Sequence, residues 1–155
     1  MAIIELTADN FAETVTTTDA IIIDFWASWC QPCLRFAPVF DKVSEAYPNV
    51  VFAKVNTEEN PDISAALQIT SIPTLMALRA GILVFRESGA LTRPQLTDIV
   101  TQLEALDVEA LKRDVAEYAG HDHSHDHDHD HNHDHDHDHG HDHDHAHAHG
   151  GSAQA

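Results

Sequence analysis

Two kinds of side chain in this sequence can do chemistry, and they lie in separate parts of the chain. Both cysteines, Cys30 and Cys33, occur in the short segment WCQPC, three positions apart. All fifteen histidines occupy alternate positions from 121 to 149, and most of them are separated by aspartate. The sequence therefore raises two hypotheses: a reaction at the cysteine pair, and metal binding by the histidine-rich segment.

The residues around the cysteines predict thiol–disulfide exchange. A strand-like segment precedes Cys30 and a helical one follows, so Cys30 should lie at a helix N-terminus, where free N–H groups and the helix dipole stabilise a thiolate. Cys33, about one turn further along, could then attack a mixed disulfide on Cys30. Pro32 stiffens the turn between the two thiols. We expect Cys30 to be the nucleophile and Cys33 the resolving thiol.

A zinc site is one alternative for the cysteine pair. Zinc needs four ligands, and residues 1–120 contain no histidine and no third cysteine. Only the tail could complete such a site. A purely structural pair of buried thiols is a second alternative, although Trp29 and Pro32 do not suit an ordinary core strand. The same lack of histidine in residues 1–120 excludes a Ser–His or Cys–His hydrolase there.

The first 119 residues alternate between strand-like and helix-like segments. This alternation predicts an α/β fold, in which helices flank a central mixed sheet whose parallel part is closed by an antiparallel hairpin. We expect strands at residues 3–6, 20–27, 50–56, 74–78 and 82–87, of which residues 20–27 are apolar save one aspartate and suit a central strand buried on both faces. We expect one helix at residues 33–47 and four helices up to about residues 15, 68, 105 and 118, and these four should have Thr7, Asn60, Thr92 and Asp107 as N-caps.

The pattern also predicts three regions along the chain. Residues 1–106 form the folded domain, and residues 107–119 add an amphipathic C-terminal helix with Val108, Leu111, Val115 and Tyr118 as its apolar stripe. Residues 120–155 combine dense charge with almost no apolar residues, so we expect a disordered tail.

The charge and composition exclude several classes of protein. The chain has 26 acidic and 8 basic residues, a formal net charge of −18, half of it in the tail. Such a chain repels nucleic acid and anionic membrane surfaces. No apolar run approaches the length of a bilayer span, and no basic leader segment is present, so we expect a cytoplasmic protein. Two cysteines in a reducing compartment indicate redox or metal chemistry, not a disulfide scaffold.

Several motifs together resemble the thioredoxin family. IDFWASWCQPC and FAP are followed by SIPT and by the pair Gly89 and Ala90, in the family's order and spacing over about residues 1–105. The resemblance implies a thioredoxin fold and a protein-disulfide reductase that needs no cofactor in its folded domain. It implies disulfide-containing proteins as substrates and an NADPH-dependent flavoprotein reductase as electron donor. We expect the protein to act as a monomer.

The same resemblance assigns roles to individual residues. Cys30 is the attacking thiol and Cys33 the resolving one, so that the two form a redox disulfide. Trp26 packs beneath the active-site loop, and the Ile72–Pro73 peptide beside it is cis, a bond that its surroundings must hold. A shallow apolar groove that docks substrate backbones is formed by Trp29, Gln31, Pro32, Ile72, Pro73, Gly89 and Ala90.

Asp24 is a candidate acid–base group. In the segment IIIDFW it alternates with Ile22 and Trp26, so it should face a covered side of the sheet, where loss of solvation raises the pKa of a carboxyl group. The resemblance makes it the group that accepts the proton of Cys33, with Lys54 as a neighbour that tunes it. Alternatively, Asp24 is a hydrogen-bonded residue near a strand end and Lys54 a solvated side chain.

Two positions depart from the family pattern. Gln31 stands where glycine is common between the cysteines, and this intervening residue affects the redox potential. Leu34 stands where a basic residue usually follows the second cysteine, and Arg35 comes only after it. We expect the preference for protein partners to differ from that of other members.

The histidine-rich tail predicts metal binding. Two histidines at positions i and i+2 can direct their ring nitrogens at one ion, and imidazole suits Zn²⁺, Ni²⁺, Cu²⁺ and Co²⁺. Solvated low-complexity sequence and a purification tag are alternatives, and a metal-storage or metallochaperone protein built on this fold is a rival for the whole chain. The candidate ligands are His121, His123, His125, His127, His129, His131, His133, His135, His137, His139, His141, His143, His145, His147 and His149.

Overall fold

The computed structural model describes residues 3–120, with side chains described for residues 3–118. These residues belong to one compact unit, Met1–His121. All fifteen histidines, and the predicted disorder of the tail, lie outside the described residues. The domain limits placed after residues 106 and 119 stay predictions.

The described elements follow the predicted order of strands and helices. The five strands are β1 (Ile4–Leu6), β2 (Ala20–Trp26), β3 (Val51–Asn56), β4 (Thr74–Arg79) and β5 (Ile82–Ser88). The five helices are α1 (Phe11–Thr17), α2 (Gln31–Ala46), α3 (Pro61–Ala66), α4 (Arg93–Ala105) and α5 (Val108–Gly120).

The five strands form one mixed sheet in the order β1-β3-β2-β4-β5. Strands β1, β3 and β2 are parallel, whereas β4 runs antiparallel to both β2 and β5. The hairpin between β4 and β5 turns at Ala80 and Gly81, which have positive φ angles of 52° and 78°. Two-residue turns with positive φ at both positions match the twist of the strands that they connect. The predicted mixed sheet with a closing hairpin is confirmed.

The central strand β2 is buried on both faces, as its apolar sequence AIIIDFW predicts. On one face, Ile22 joins a core cluster with Phe40 of α2 and Val100 of α4. On the other face, Ile23 joins a second cluster with Val15 of α1 and Ile63 of α3. Helices therefore cover both sides of the sheet, and β2 is packed between them.

The start predicted for α1 was wrong. Thr7 does not cap this helix, because residues 8–10 form a turn and the helix begins at Phe11. Asn10 occupies the N-cap position, but its side-chain oxygen accepts from the backbone N–H of Thr7 at 2.7 Å instead of capping the helix. The side-chain oxygen of Asn10 therefore bonds a backbone N–H before the helix instead of one in its first turn.

The limits of the next two helices also differ from the prediction. Helix α2 begins at Gln31 instead of Cys33, since Pro32 fits the first turn of a helix, where its missing N–H is not needed. Helix α3 ends at Ala66 because Gln68 adopts a positive φ of 55°. Asn60 precedes α3 without capping it, and its side-chain oxygen accepts from the N–H of Ala8 at 3.2 Å.

The two C-terminal helices have the predicted caps. Thr92 and Gln95 form a reciprocal capping box at the start of α4, and the carboxylate of Asp107 accepts from two N–H groups at the start of α5. The apolar stripe of α5 is only partly covered, because Tyr118 is 88% exposed. Within residues 3–120, every helix is too short or too polar to traverse a lipid bilayer.

Candidate active site

The two cysteines lie where strand β2 passes into helix α2. Cys30 is the N-cap residue of α2, and Cys33 lies in the first turn of the helix. Their sulfur atoms form a disulfide, with the Cα atoms 5.2 Å apart, so the structure describes the oxidised state. Both residues are buried, with exposed fractions of 4% and 2%. The prediction that Cys30 lies at a helix N-terminus is confirmed.

The helix N-terminus supplies hydrogen bonds to Cys30. Its Sγ accepts from the backbone N–H of Cys33 at 3.3 Å, and its carbonyl oxygen accepts from the N–H of Leu34 at 3.1 Å. An N–H group directed at the sulfur, together with the positive end of the helix dipole, stabilises negative charge on that sulfur after reduction. The geometry therefore favours Cys30 as the site of the thiolate.

The loop before β4 lies against the disulfide. The sulfur of Cys30 is 3.7 Å from the carbonyl oxygen of Ile72, and the Ile72–Pro73 peptide is cis. Ile72 and Trp26 pack against the small buried cluster of Ala27 and the two cysteines. Trp26 thus contacts the active-site loop from within, and residues 42 positions apart in the chain meet at the disulfide.

The strand end at Gly89 lies beside the same loop. The N–H of Gly89 donates to the carbonyl of Pro73 at 2.7 Å, and its φ is 107°. A Cβ atom at this position would meet nothing within 4 Å, so the backbone conformation and not the space demands glycine. The structure therefore brings Gly89 and the Ile72–Pro73 pair together next to Cys30.

The remaining residues of the expected groove differ in exposure. Trp29 is 66% exposed, and Gln31, Pro32 and Ala90 are exposed as well. Leu34 also exposes its apolar side chain. An exposed tryptophan next to a disulfide is available for contact with another protein, because large aromatic groups contribute strongly to interfaces.

Asp24 is a buried carboxyl group on β2, the strand that precedes the two cysteines. It is 0% exposed, on the same face of β2 as Trp26, and neither of its oxygens has a hydrogen-bond partner among the described residues. Burial raises the pKa of Asp24 from 3.8 to about 7, and the positive charge of Lys54 opposes part of that rise. A group with such a pKa can accept or release a proton near neutral pH.

Lys54 pairs with Asp24 in the register of β2 and β3. Its Nζ atom lies 5.6 Å from the ring centroid of Trp26 and 5.9 Å from that of Phe40. The ammonium group is therefore held over two aromatic faces, on the side of the sheet where Asp24 is buried. The neighbouring position of Lys54 agrees with the sequence-based expectation, while its effect on the reaction stays a prediction.

Two residues that support the site were not predicted. The hydroxyl group of Thr74, which is almost fully buried, lies 3.1 Å from that of Ser88 and also donates to the carbonyl of Ser71. These bonds connect the start of β4 to the end of β5. Their contact joins positions 14 apart in the chain, so the local sequence does not show that these two residues meet.

The described part of the chain, residues 3–120, contains no cluster of side chains arranged as metal ligands. Among residues 3–120, no three side chains of the types His, Cys, Asp and Glu come together as ligands for one ion. In the oxidised state both sulfur atoms are bonded to each other, which leaves no thiolate for a metal.

These features define a class of protein. A disulfide at the N-terminus of a helix, with a cis-proline loop beside it and a buried carboxyl group on the preceding strand, is the site of a thiol–disulfide oxidoreductase. The family model for Thioredoxin matches residues 2–102. The chain belongs to the thioredoxin family, whose members reduce protein disulfides without a cofactor in the folded domain.

Individual relatives agree with this assignment. The chain is 47% identical over 114 residues to a putative thioredoxin 2 of Streptomyces coelicolor, covering 74% of this chain and 85% of the relative. It is 44% identical over 100 residues to thioredoxin C-3 of Corynebacterium nephridii, covering 64% and 69%. Among solved structures, the thioredoxin of Malassezia sympodialis superposes with a TM-score of 0.62 at 31% identity, covering 67% of this chain and 92% of that one.

Proposed function

We propose that this protein reduces disulfides of other proteins, with Cys30 as nucleophile and Cys33 as resolving thiol. The observation that carries the proposal is the position of Cys30 at the N-cap of α2, where its sulfur accepts an N–H bond. A thiolate is more stable at this place than at any position further into the helix.

The reaction proceeds in two exchange steps. The Cys30 thiolate attacks one sulfur of a substrate disulfide, which forms a mixed disulfide and releases the first substrate thiolate. The thiolate of Cys33 then attacks the Cys30 sulfur and displaces the second. The substrate gains two electrons and two protons as two thiols, and the protein ends in the disulfide state that the structure contains.

Asp24 serves as the proton acceptor for Cys33 in the second step. A buried carboxyl group with a pKa of about 7 is ionised often enough at neutral pH to take the proton, and basic enough to hold it. Lys54 tunes this group, because its positive charge favours the ionised form. Asp24 lies on the same face of β2 as Trp26, and Trp26 packs against the cluster that contains the two cysteines. This arrangement supports the role of Asp24.

Substrates dock on an apolar groove around the disulfide. Exposed Trp29 and the neighbouring Gln31 and Pro32 form one side of it, and the loop at Ile72 and Pro73 with Gly89 and Ala90 forms the other. The Leu34 side chain adds apolar surface where other members carry a base, which favours partners with an apolar residue there.

Electrons come from an NADPH-dependent flavoprotein reductase, which reduces the Cys30–Cys33 disulfide after each cycle. The protein acts as a monomer in the cytoplasm, where reduced thiols persist. Acidic charge over the whole chain supports partners other than nucleic acid.

A disulfide reduction assay with insulin tests the proposal. The reduced full-length chain should reduce insulin, and a chain that ends at residue 120 should do so at the same rate. Adding a chelator should change neither rate. A full-length protein that fails to reduce insulin in the presence of a regenerating dithiol would disprove the reductase function.

The second proposed function is metal binding by the tail. Fifteen histidines in strict alternation give many pairs whose nitrogens can approach one ion at about 2 Å. Zn²⁺, Ni²⁺, Cu²⁺ and Co²⁺ are the expected ions, with the affinity order set by the metal. The separation of residue types supports two independent functions in one chain, since no histidine lies among residues 1–120.

A metal-storage or metallochaperone protein remains the rival. In that case the domain would be a scaffold, and the full-length protein would bind metal through its tail but would fail to reduce insulin. The two functions can be tested independently. The insulin assay measures only disulfide reduction by the cysteines, and a metal titration measures mainly ion binding by the tail.

A further inference from the structure

Arg86 on strand β5 binds the C-terminal end of helix α3. Its Nη1 donates to the carbonyl of Leu67 at 2.6 Å, and its Nη2 donates to the carbonyl of Gln68 at 2.8 Å. The last carbonyl groups of a helix have no partner within the helix, and a guanidinium group can bond two of them at once. Arg86 thus fixes the point at which the chain leaves α3.

The segment that leaves α3 leads directly to the active site. We call residues 67–73 the Pro73 loop. It begins at the two carbonyls held by Arg86, turns at Gln68 with its positive φ of 55°, and ends at Ile72 and Pro73. The Ile72 carbonyl is the group that lies 3.7 Å from the sulfur of Cys30.

Strand β5 holds this loop at both of its ends. Arg86 bonds the beginning, and Gly89, three residues later, donates to the carbonyl of Pro73 at 2.7 Å. Between them, Ser88 lies 3.1 Å from the hydroxyl of Thr74, which follows the loop. Without Arg86 the carbonyls of Leu67 and Gln68 would lose their bonds to β5, while the N–H groups of residues 67–69 would stay bonded to α3.

We infer that Arg86 is a positioning residue for substrate docking, and that it acts by holding the start of the Pro73 loop so that Ile72 and Pro73 keep their place beside Cys30. This inference rests on the proposed docking groove. Among the described residues, the side chain of Arg86 donates its hydrogen bonds to Leu67 and Gln68 and not to either cysteine. Its loss should therefore weaken the capture of large substrates and leave the chemistry of the two thiols unchanged.

Arg79 provides a matched control. Its Nη1 donates to the carbonyls of Leu103 at 2.6 Å and Glu104 at 3.2 Å, at the C-terminal end of α4. The side chain, the bonds to carbonyls at a helix end and the loss of one positive charge are the same as for Arg86, and Arg79 also forms an ion pair with Asp19 at 3.5 Å, so its loss should cost at least as much stability. Because α4 ends away from the Pro73 loop, Arg79→Ala should lower stability without affecting substrate docking.

The experiment compares full-length wild type, Arg86→Ala, Arg86→Lys and Arg79→Ala. Initial rates are measured against insulin concentration, and separately with the small disulfide dithiobis(nitrobenzoate), while thermal melting reports the folded fraction. Arg86→Ala should raise KM for insulin about threefold or more with kcat nearly unchanged. Its rate with the small disulfide should match that of the wild type, and Arg86→Lys should recover part of the loss.

Three outcomes would overturn the inference. They are an unchanged KM in Arg86→Ala, an equal rise of KM in Arg79→Ala, and an equal loss of rate with the small disulfide. If Arg86→Ala does not fold, an unchanged KM in the milder Arg86→Lys variant, which cannot bond both carbonyls in the same fork geometry, overturns it as well. A wild type that does not reduce insulin would instead contradict the proposed function.

Discussion

Asp24 and Lys54 are register partners on the parallel strands β2 and β3, yet both oxygens of Asp24 lack a hydrogen-bond partner among the described residues. The ammonium group of Lys54 lies over the rings of Trp26 and Phe40 instead. Burial therefore raises the pKa of Asp24 to about 7, and the nearby positive charge of Lys54 opposes only part of that rise.

The first prediction concerns Asp24 and stability. Between pH 4 and 7 the unfolded chain ionises this residue while the fold resists it, so the wild type loses stability as pH rises and levels off above pH 7. Asp24→Asn removes that penalty and should be more stable at pH 8, on the order of 1 to 4 kcal/mol. At pH 3.5 the two should be nearly equal. Urea unfolding at both pH values measures the difference, and a less stable variant at pH 8 would indicate a structural role for the carboxyl group.

The second prediction concerns Asp24 and the reaction. Asp24→Asn should slow the release of substrate from the mixed disulfide, by up to about 100-fold at neutral pH, because Cys33 then lacks its proton acceptor. The wild-type rate of this step should rise through pH 7, and the variant should lose that rise. Rapid mixing of the reduced protein with insulin over pH 5.5 to 8.5 measures both. A variant with wild-type rates would rule out proton transfer by Asp24.

The third prediction concerns Lys54. Its charge lowers the pKa of Asp24, so Lys54→Met should raise that pKa and move the midpoint of the rate profile to higher pH. Lys42→Met is the control, because Lys42 is an exposed residue paired with Glu45 on α2. Adding Lys54→Met to Asp24→Asn should shift nothing further. Equal shifts in the Lys42 and Lys54 variants would indicate a general charge effect.

The fourth prediction concerns the order of attack. Cys33→Ser should accumulate a mixed disulfide with substrate proteins, because Cys30 can attack but nothing resolves the product. Cys30→Ser should accumulate none, since Cys33 lies within the first turn of the helix and lacks the N-cap position that stabilises a thiolate. Non-reducing electrophoresis with mass spectrometry measures the trapped species. Equal trapping by both variants contradicts the assignment of the nucleophile.

The fifth prediction concerns the tail. Calorimetric titration with Zn²⁺ or Ni²⁺ at pH 7.5 should reveal several sites in the full chain and essentially none in a chain ending at residue 120. The metal should be released at pH 5, because imidazole binds only when neutral and its ordinary pKa is about 6.5. The melting temperature of the metal-free domain should hardly change on truncation. Equal binding by the truncated chain would direct attention to Cys30 and Cys33 as the metal site.

Much of the fold was predictable from local sequence. The apolar run of β2 indicated a strand covered on both faces, and Thr92 marked the start of α4 as its N-cap. Helix α1 was misplaced because the side chain of Asn10 bonds the N–H of Thr7 instead of capping the helix. Propensity does not distinguish these two uses of an asparagine, since both satisfy one backbone N–H group.

The sequence by itself determined the chemistry of the reacting pair. Two cysteines separated by Gln31 and Pro32, at the junction of a buried strand and a helix, indicate thiol–disulfide exchange on local grounds. The placement of every histidine beyond residue 120 likewise separated the redox residues from the candidate metal ligands. These conclusions required only spacing and residue type, because both features act over a few neighbouring positions.

Only the tertiary structure decided what surrounds that pair. It placed the carbonyl of Ile72 against Cys30, left Asp24 without a hydrogen-bond partner among residues 3–120, and directed Arg86 to the end of α3. Each relationship depends on the order of strands in the sheet and on the path of a loop between them. Long-range contacts of this kind arise when several elements pack together, and local sequence patterns do not predict which side chains will then meet.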